Sequence, residues 1–207
     1  MQLKIPIFPL NLVVFPGSKY PLHIFEERYK KLLNKCLDSN TGFGIISLID
    51  KIISDVGVYV IISEVIKTYD NGELDIVVAG IERFIINSTS KHSDDYYMAD
   101  VIKYFDENEV VDEKLIDELQ NDFEEIVELA NYQLAEAFWN NLKSAKLKSY
   151  KIAEKSGMSY EQQQEFLILK SENERLYFLI NYFNFIKEKV NNADLIKKII
   201  VNDGYLN

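Results

Sequence analysis

The groups able to do chemistry are few in this sequence, and none converges on a familiar site. There is one cysteine, Cys36. It falls at helical spacing from Leu32 and Leu33, which makes it a packing residue rather than a nucleophile. The two histidines, His23 and His92, stand alone, without the companions a zinc site needs. His23 lies in the apolar lead-in to a helix and reads as a satisfied structural group. His92 lies in a polar loop, where solvation suffices. The eight glycines are scattered, and neither G-x-x-x-x-G-K-[ST] nor G-x-G-x-x-G occurs to cradle a phosphate. Without G-x-S-x-G or a Cys/His arrangement, nucleophilic catalysis has no candidate. The expectation from these residues is a chain with no catalytic, cofactor-binding or metal-binding set.

Two polar features remain. Arg83 sits among Ile81, Phe84, Ile85 and Ile86 in a strand-like run, so its guanidinium needs a carboxylate or carbonyl partner. Glu26 is the expected partner; an anion site at Arg83 is the functional alternative. The second feature is an acidic run. Between Asp106 and Glu128 eleven acidic residues stand against Lys114 alone, a local balance of −10. A solvated helix face is the simpler reading, a docking surface for a basic partner the sharper one. Unanchored surface carboxylates make a poor acid/base pair.

The net charge of the whole chain is also −10, which argues against a nucleic-acid binder. Residues 141–207 carry a mild +3, room for one local basic patch. With 207 residues and 47% apolar content, the chain has ample material for a core in one large domain or two small ones. No run of about 18 apolar residues exists to span a membrane. The N-terminus lacks the basic stretch and cleavage site of a signal peptide, and a lone cysteine suits a reducing cytoplasm.

The elements that must position these groups begin with an unusual opening. All four prolines lie in the first 21 residues, set among Ile5, Ile7, Phe8, Leu10, Val13, Val14 and Phe15. Proline fixes φ and removes a donor, so Ile5–Leu10 and Val13–Phe15 read as short kinked strands, with Pro16-Gly17 as a turn. Residues 25–37 read as a helix burying Tyr29, Leu32, Leu33 and Cys36. Residues 45–49 form a short apolar strand. A hairpin follows, rising from Gly57 through Tyr69, turning at Asp70-Asn71-Gly72 in type I′ geometry, and returning over residues 73–79. Gly80 interrupts it as a bulge or barrel corner before residues 81–86 resume. Residues 87–95 read as a polar loop and 97–105 as a strand.

From Asp106 the apolar period changes from two to 3.6. Leu115, Leu119, Phe123, Ile126, Ala130, Leu134, Phe138 and Leu142 form one stripe, predicting a single helix of about 30 residues, about 45 Å long. Residues 150–156 predict a short helix stopped by Gly157. Ser159–Gln162 and Ser171–Glu174 fit the capping box, and the second opens a run through Leu176, Leu179, Ile180, Phe183, Ile186 and Val190. A last amphipathic piece covers residues 195–201.

The opening resembles the start of the Lon protease N-terminal, or substrate-binding, domain. The match lies in Ile5-Pro6-Ile7-Phe8-Pro9-Leu10, Val14-Phe15-Pro16-Gly17, Pro21-Leu22 and Ile24-Phe25-Glu26-x-Arg28-Tyr29. It continues through Phe43-Gly44, Gly57, Val78-Ala79-Gly80-Ile81-Glu82-Arg83-Phe84 and Tyr97–Val101. The resemblance implies an α+β fold: a mostly antiparallel PUA-like β-barrel with an early helix over residues 1–105, then a helical bundle with one long helix over 106–207, packed on it. It implies a non-catalytic module binding unfolded or tagged proteins, or a protease or chaperone partner, as an adaptor or regulator in bacterial protein quality control. Homo-oligomerisation is left open. An RNA-binding PUA-like protein is the alternative. The chain ends at Asn207 with no Walker motif and no Ser-Lys site, so it resembles a stand-alone member, and proteolysis is not carried over. Phe8, Pro9, Leu10, Phe15, Pro16, Gly17, Pro21, Glu26, Arg28, Tyr29, Gly80, Arg83 and Phe84 carry the signature, and scaffold is their expected role. The peptide-binding residues stay open.

Overall fold

A computed structural model describes residues 2–189, and the chain divides into two compact units, Met1–Phe105 and Asp106–Asn207. Val190 and the piece at 195–201 lie outside the described residues.

The first unit holds seven strands and one helix: β1 (Gln2–Leu10), β2 (Lys19–Ile24), α1 (Glu27–Ser39), β3 (Phe43–Ile49), β4 (Ile52–Ile53), β5 (Val56–Thr68), β6 (Leu74–Lys91) and β7 (Tyr97–Lys103). Pairing runs β1–β7–β6–β5–β3, and β3 returns to β1 through a parallel ladder, the one parallel pairing among the described residues. β1 changes partner at Ile7: residues 2–7 ladder with β7 and residues 7–10 with β3. Pro6 and Pro9 thus fall where only one edge of β1 is laddered, the condition under which a missing N–H is tolerated. Ile5, Ile7, Ile46, Phe84, Ala99 and Val101 form one buried cluster.

Three expectations for this unit need correcting. Val13–Phe15 is buried but is not a strand; the Phe15 N–H is taken by the Tyr20 hydroxyl at 3.0 Å instead of a ladder partner. The strand lies after it, as β2, which pairs with residues 74–79 of β6. The Asp70-Asn71-Gly72 turn is not type I′, because only Gly72 (φ 80°) is left-handed. Tyr69 accepts from the Gly72 N–H at 2.9 Å and donates to the Glu73 carbonyl at 2.9 Å, a type I turn closed by a glycine bulge. Asn71 Oδ1 accepts from the Glu73 N–H at 3.1 Å, a side-chain bond that holds asparagine in its ordinary conformation. Finally, residues 87–91 are not loop: β6 runs on to Lys91 against β7. Its last five residues, Asn87 to Lys91, are all exposed, so a polar composition disguised a strand.

The second unit holds α2 (Glu113–Leu129), α3 (Glu136–Ser144), α4 (Lys148–Ala153), α5 (Tyr160–Ile168) and α6 (Glu172–Lys189). The single long helix is therefore two. Asn131 adopts the left-handed conformation (φ 47°), and the Tyr132 N–H bonds back to the Val127 carbonyl at 3.2 Å, a helix stop built on asparagine instead of glycine. Phe123 keeps its place at the centre, with ring centroids 5.7 Å from Phe138, 6.0 Å from Trp139 and 5.8 Å from Phe183. Asp112 caps α2 through the Lys114 N–H at 2.9 Å. The capping box at Ser159–Gln162 is formed, and Ser171 with Glu174 caps α6. Among the described residues no helix is long and apolar enough to cross a membrane.

Candidate functional site

The signature residues of the opening gather into three clusters within the first unit. In the first, the Phe8 ring stacks on Tyr29 at 3.7 Å with a 24° interplanar angle, and the Arg28 guanidinium covers Tyr29 from 4.6 Å. Arg28 in turn holds Glu26 at 2.7 Å. This corrects the expected Glu26–Arg83 pair. Glu26 follows the end of β2, where Ile24 pairs with Leu74, whereas Arg83 lies nine residues further along β6, about 30 Å of strand at about 3.3 Å per residue.

The second cluster joins the Pro16-Gly17 turn to Gly80. The Gly17 N–H donates to the Gly80 carbonyl and the Gly80 N–H to the Ser18 carbonyl, both at 2.9 Å. A Cβ on Gly80 would stand 2.3 Å from the Phe15 carbonyl oxygen. The glycine is required by that close approach. Register between β5 and β6 also shifts there, with Tyr59 opposite Glu82 and Val60 opposite Gly80. The third cluster centres on Phe84, whose ring fills the space where Gly44 and Gly57 lack side chains. Arg83 is buried beside it, its guanidinium 4.8 Å from the Tyr104 ring. Pro9, Leu10 and Pro16 are half-buried and Pro21 is exposed.

Cys36 is buried, its thiol pushed up in pKa by burial and donating weakly to the Gly42 carbonyl at 3.7 Å. A raised pKa means less thiolate and less reactivity. Among the described residues no group of three or more His, Cys, Asp or Glu is placed to hold a metal ion. His23 is a hydrogen-bonded side chain as expected, held by Asp75, whereas His92 differs from expectation. His92 is no freely solvated side chain: it stacks on Tyr96 at 4.3 Å and accepts from the Asp94 N–H at 3.0 Å. His23 is about half exposed, because β2 is a surface strand and His23 points to its outer side opposite Asp75.

That outer side is where polar and apolar groups meet near the hairpin tip. His23 Nδ1 lies 2.7 Å from Asp75, whose other oxygen accepts from the Tyr69 hydroxyl at 2.7 Å. The His23 hydrogen bond, reinforced by Tyr69, lowers the Asp75 pKa below the usual carboxylate range. Lys67 covers the Tyr69 ring from 4.1 Å, and Phe25, 61% exposed, stacks beside His23. On the adjoining stretch of β5, Ile61, Val65 and Ile66 are 42%, 41% and 57% exposed. Elsewhere on the same unit an open groove of about 240 Å³, floored by Ile5, Phe84 and Val101, is bordered by the Lys103–Glu82 ion pair at 2.7 Å.

In the helical unit the sequence reading missed a buried network. Arg175 has no exposed surface and binds Asp106 through Nη1 (3.0 Å) and Nη2 (2.5 Å), Glu172 at 3.1 Å, Ser149 at 3.2 Å and the Leu169 carbonyl at 3.1 Å. Burial alone would lower its pKa; Asp106, with help from Tyr150 and Glu172, reverses the sign. Glu172 also accepts from the N–H and hydroxyl of Ser149 at 3.1 and 2.7 Å, capping α4 from another helix. An arginine four residues before Leu179, at the start of an apolar run, was the available signal.

The fold has counterparts among solved structures. A Lon N-terminal domain protein from Xanthomonas campestris matches with a TM-score of 0.67 at 22% identity, covering 86% of this chain and 98% of its own. The N-terminal domain of a Mycobacterium avium complex Lon protease matches with a TM-score of 0.65 at 19% identity, over 88% and 98%. The family described as the ATP-dependent protease La (LON) substrate-binding domain matches residues 4–184. On that extent of match, the chain belongs to the Lon substrate-binding domain family.

Proposed function

We propose that this chain is a non-catalytic protein- or peptide-binding module that recognises unfolded or tagged polypeptides, as an adaptor or regulator in protein quality control. The observation that carries this reading is the family match over residues 4–184. The exposed apolar side chains Phe25, Ile61, Val65 and Ile66 support it, since each offers apolar surface to a partner. The ring of pairings from β1 round to β3 and back supports a PUA-like barrel as the scaffold of residues 1–105, with residues 106–207 as a helical bundle. Its partner is a client polypeptide or a protease or chaperone, met in the cytoplasm.

The test is fluorescence anisotropy with a labelled protein held permanently unfolded by reduction and carboxymethylation, its native form serving as control. Saturable binding of the unfolded form alone is expected, together with slower aggregation of a heat-denatured client. Equal indifference to both forms, with no effect on aggregation, sinks the reading.

A further inference from the structure

β5 is longer than the strand that covers it. It pairs with β6 from Val56, opposite Ile85, to Thr68, opposite Leu74. On its other edge β3 reaches only Val58, Tyr59 and Val60. Among the described residues, no strand lies beyond that point on the β3 side of Ile61–Thr68. Eight residues at about 3.3 Å each leave about 26 Å of open edge, along which alternate N–H and C=O groups point outward unladdered.

The side chains define what would fit. Ile62 and Val65 pair with Val78 and Ile76, both fully buried, so they extend the apolar inner side of the sheet. Ile61, Glu64 and Lys67 pair with Ala79, Val77 and Asp75 on the outer side. From Ile61 to Glu73 three carboxylates (Glu64, Asp70, Glu73) stand against Lys67, an acidic surplus toward the tip. Register shifts at Ser63 and Ile66 leave neither directly opposite a residue of β6, although the Ser63 hydroxyl donates to the Val77 carbonyl at 3.0 Å. The acidic surplus would face itself in a pair of copies. A second copy of this chain is therefore the poorer occupant.

We infer that the open edge of β5, Ile61–Thr68, takes up a short extended segment of a client polypeptide as an added strand, apolar at alternate positions and basic at the end beside the hairpin tip. The inference rests on the reading of the chain as a polypeptide-binding module. Backbone pairing explains how one surface accepts many sequences, because the ladder reads the peptide backbone and the alternation reads only polarity.

The test uses a labelled peptide of alternating valine and threonine with two lysines at one end, and two versions N-methylated on alternate residues in opposite phase. A strand offers the N–H groups of alternate residues to each side, so one methylated version loses about tenfold or more in affinity while the other stays within about twofold. Ile66→Lys and Val65→Lys each weaken the parent peptide by about tenfold, and hydrogen exchange slows at Ile61–Thr68 on binding. Equal binding of both methylated versions, or unchanged exchange at those amides, overturns strand addition. If the carboxymethylated unfolded protein binds wild type and Ile66→Lys alike while the peptide does not bind, strand addition fails and the binding-module reading stands. If neither probe binds, both fall.

Discussion

Arg175→Met removes the centre of the buried network in the helical unit while preserving most of the apolar stem. Five hydrogen bonds from the guanidinium disappear. The cost lies chiefly in what is stranded. Glu172 is 4% exposed and keeps only its bonds to Ser149, whereas the Asp106 side chain is 29% exposed and can rehydrate. Removing one partner of a buried pair costs about 3–5 kcal/mol, and the rehydration of Asp106 places this case near 3. Trp139 reports on the right unit: it is the only tryptophan, and its ring lies 5.4 Å from Phe138 and 6.0 Å from Phe123. At about 2 kcal/mol per molar urea, the Trp139 fluorescence midpoint should fall by about 1.5 M. Glu172→Gln added to Arg175→Met should recover at least about 1 kcal/mol, since it removes the stranded charge. A midpoint for Arg175→Met within about 0.25 M of wild type, equivalent to about 0.5 kcal/mol, or no recovery in the double variant, refutes the reasoning.

Three further outcomes are expected. Gly80→Ala puts a Cβ 2.3 Å from the Phe15 carbonyl oxygen, so the Pro16-Gly17 turn must move and its two hydrogen bonds weaken. A loss of about 2–4 kcal/mol follows, read as a Tm lower by about 10 °C or more; an unchanged Tm contradicts the close approach. Asp75, lowered in pKa by His23 and then Tyr69, contributes stability above the usual carboxylate range that is lost as pH falls through its folded value. Asp75→Asn should therefore flatten part of the acid limb of the stability–pH profile, and an unaltered limb counts against the pairing. Cys36, raised in pKa by burial, should resist a thiol-directed disulfide reagent at neutral pH until urea unfolds the chain; rapid labelling of the native protein contradicts its burial.

The legible parts of the fold were those whose signals are local. Tyr29, Leu32, Leu33 and Cys36 recur at helical spacing, and all four are buried in α1. Ser159 with Gln162, and Ser171 with Glu174, form caps from residues three apart. The stripe from Leu115 to Leu142 misled because its spacing survives the interruption at Asn131 by coincidence. Periodicity records which residues want burial and is blind to a stop made by one asparagine in the left-handed conformation. The end of β6 was hidden for the converse reason: exposed on both sides, Asn87–Lys91 has no apolar alternation to reveal a strand.

Near the candidate surface the division is sharper. The family is readable from a proline-framed opening whose residues pack against partners far along the chain. The sequence also singles out Gly80, because a glycine interrupting a β-branched run marks a bend or a close approach. It takes the folded chain to show that the Phe15 carbonyl is what approaches, that Glu26 belongs to Arg28, and that Arg175 gathers Asp106, Glu172 and Ser149 from positions up to 69 residues away. The same holds for β5. Its residues declare a strand, but an edge becomes open only because β3 ends its pairing at Val60. Which backbone groups lack a partner depends on the whole sheet, and no stretch of sequence carries that information alone.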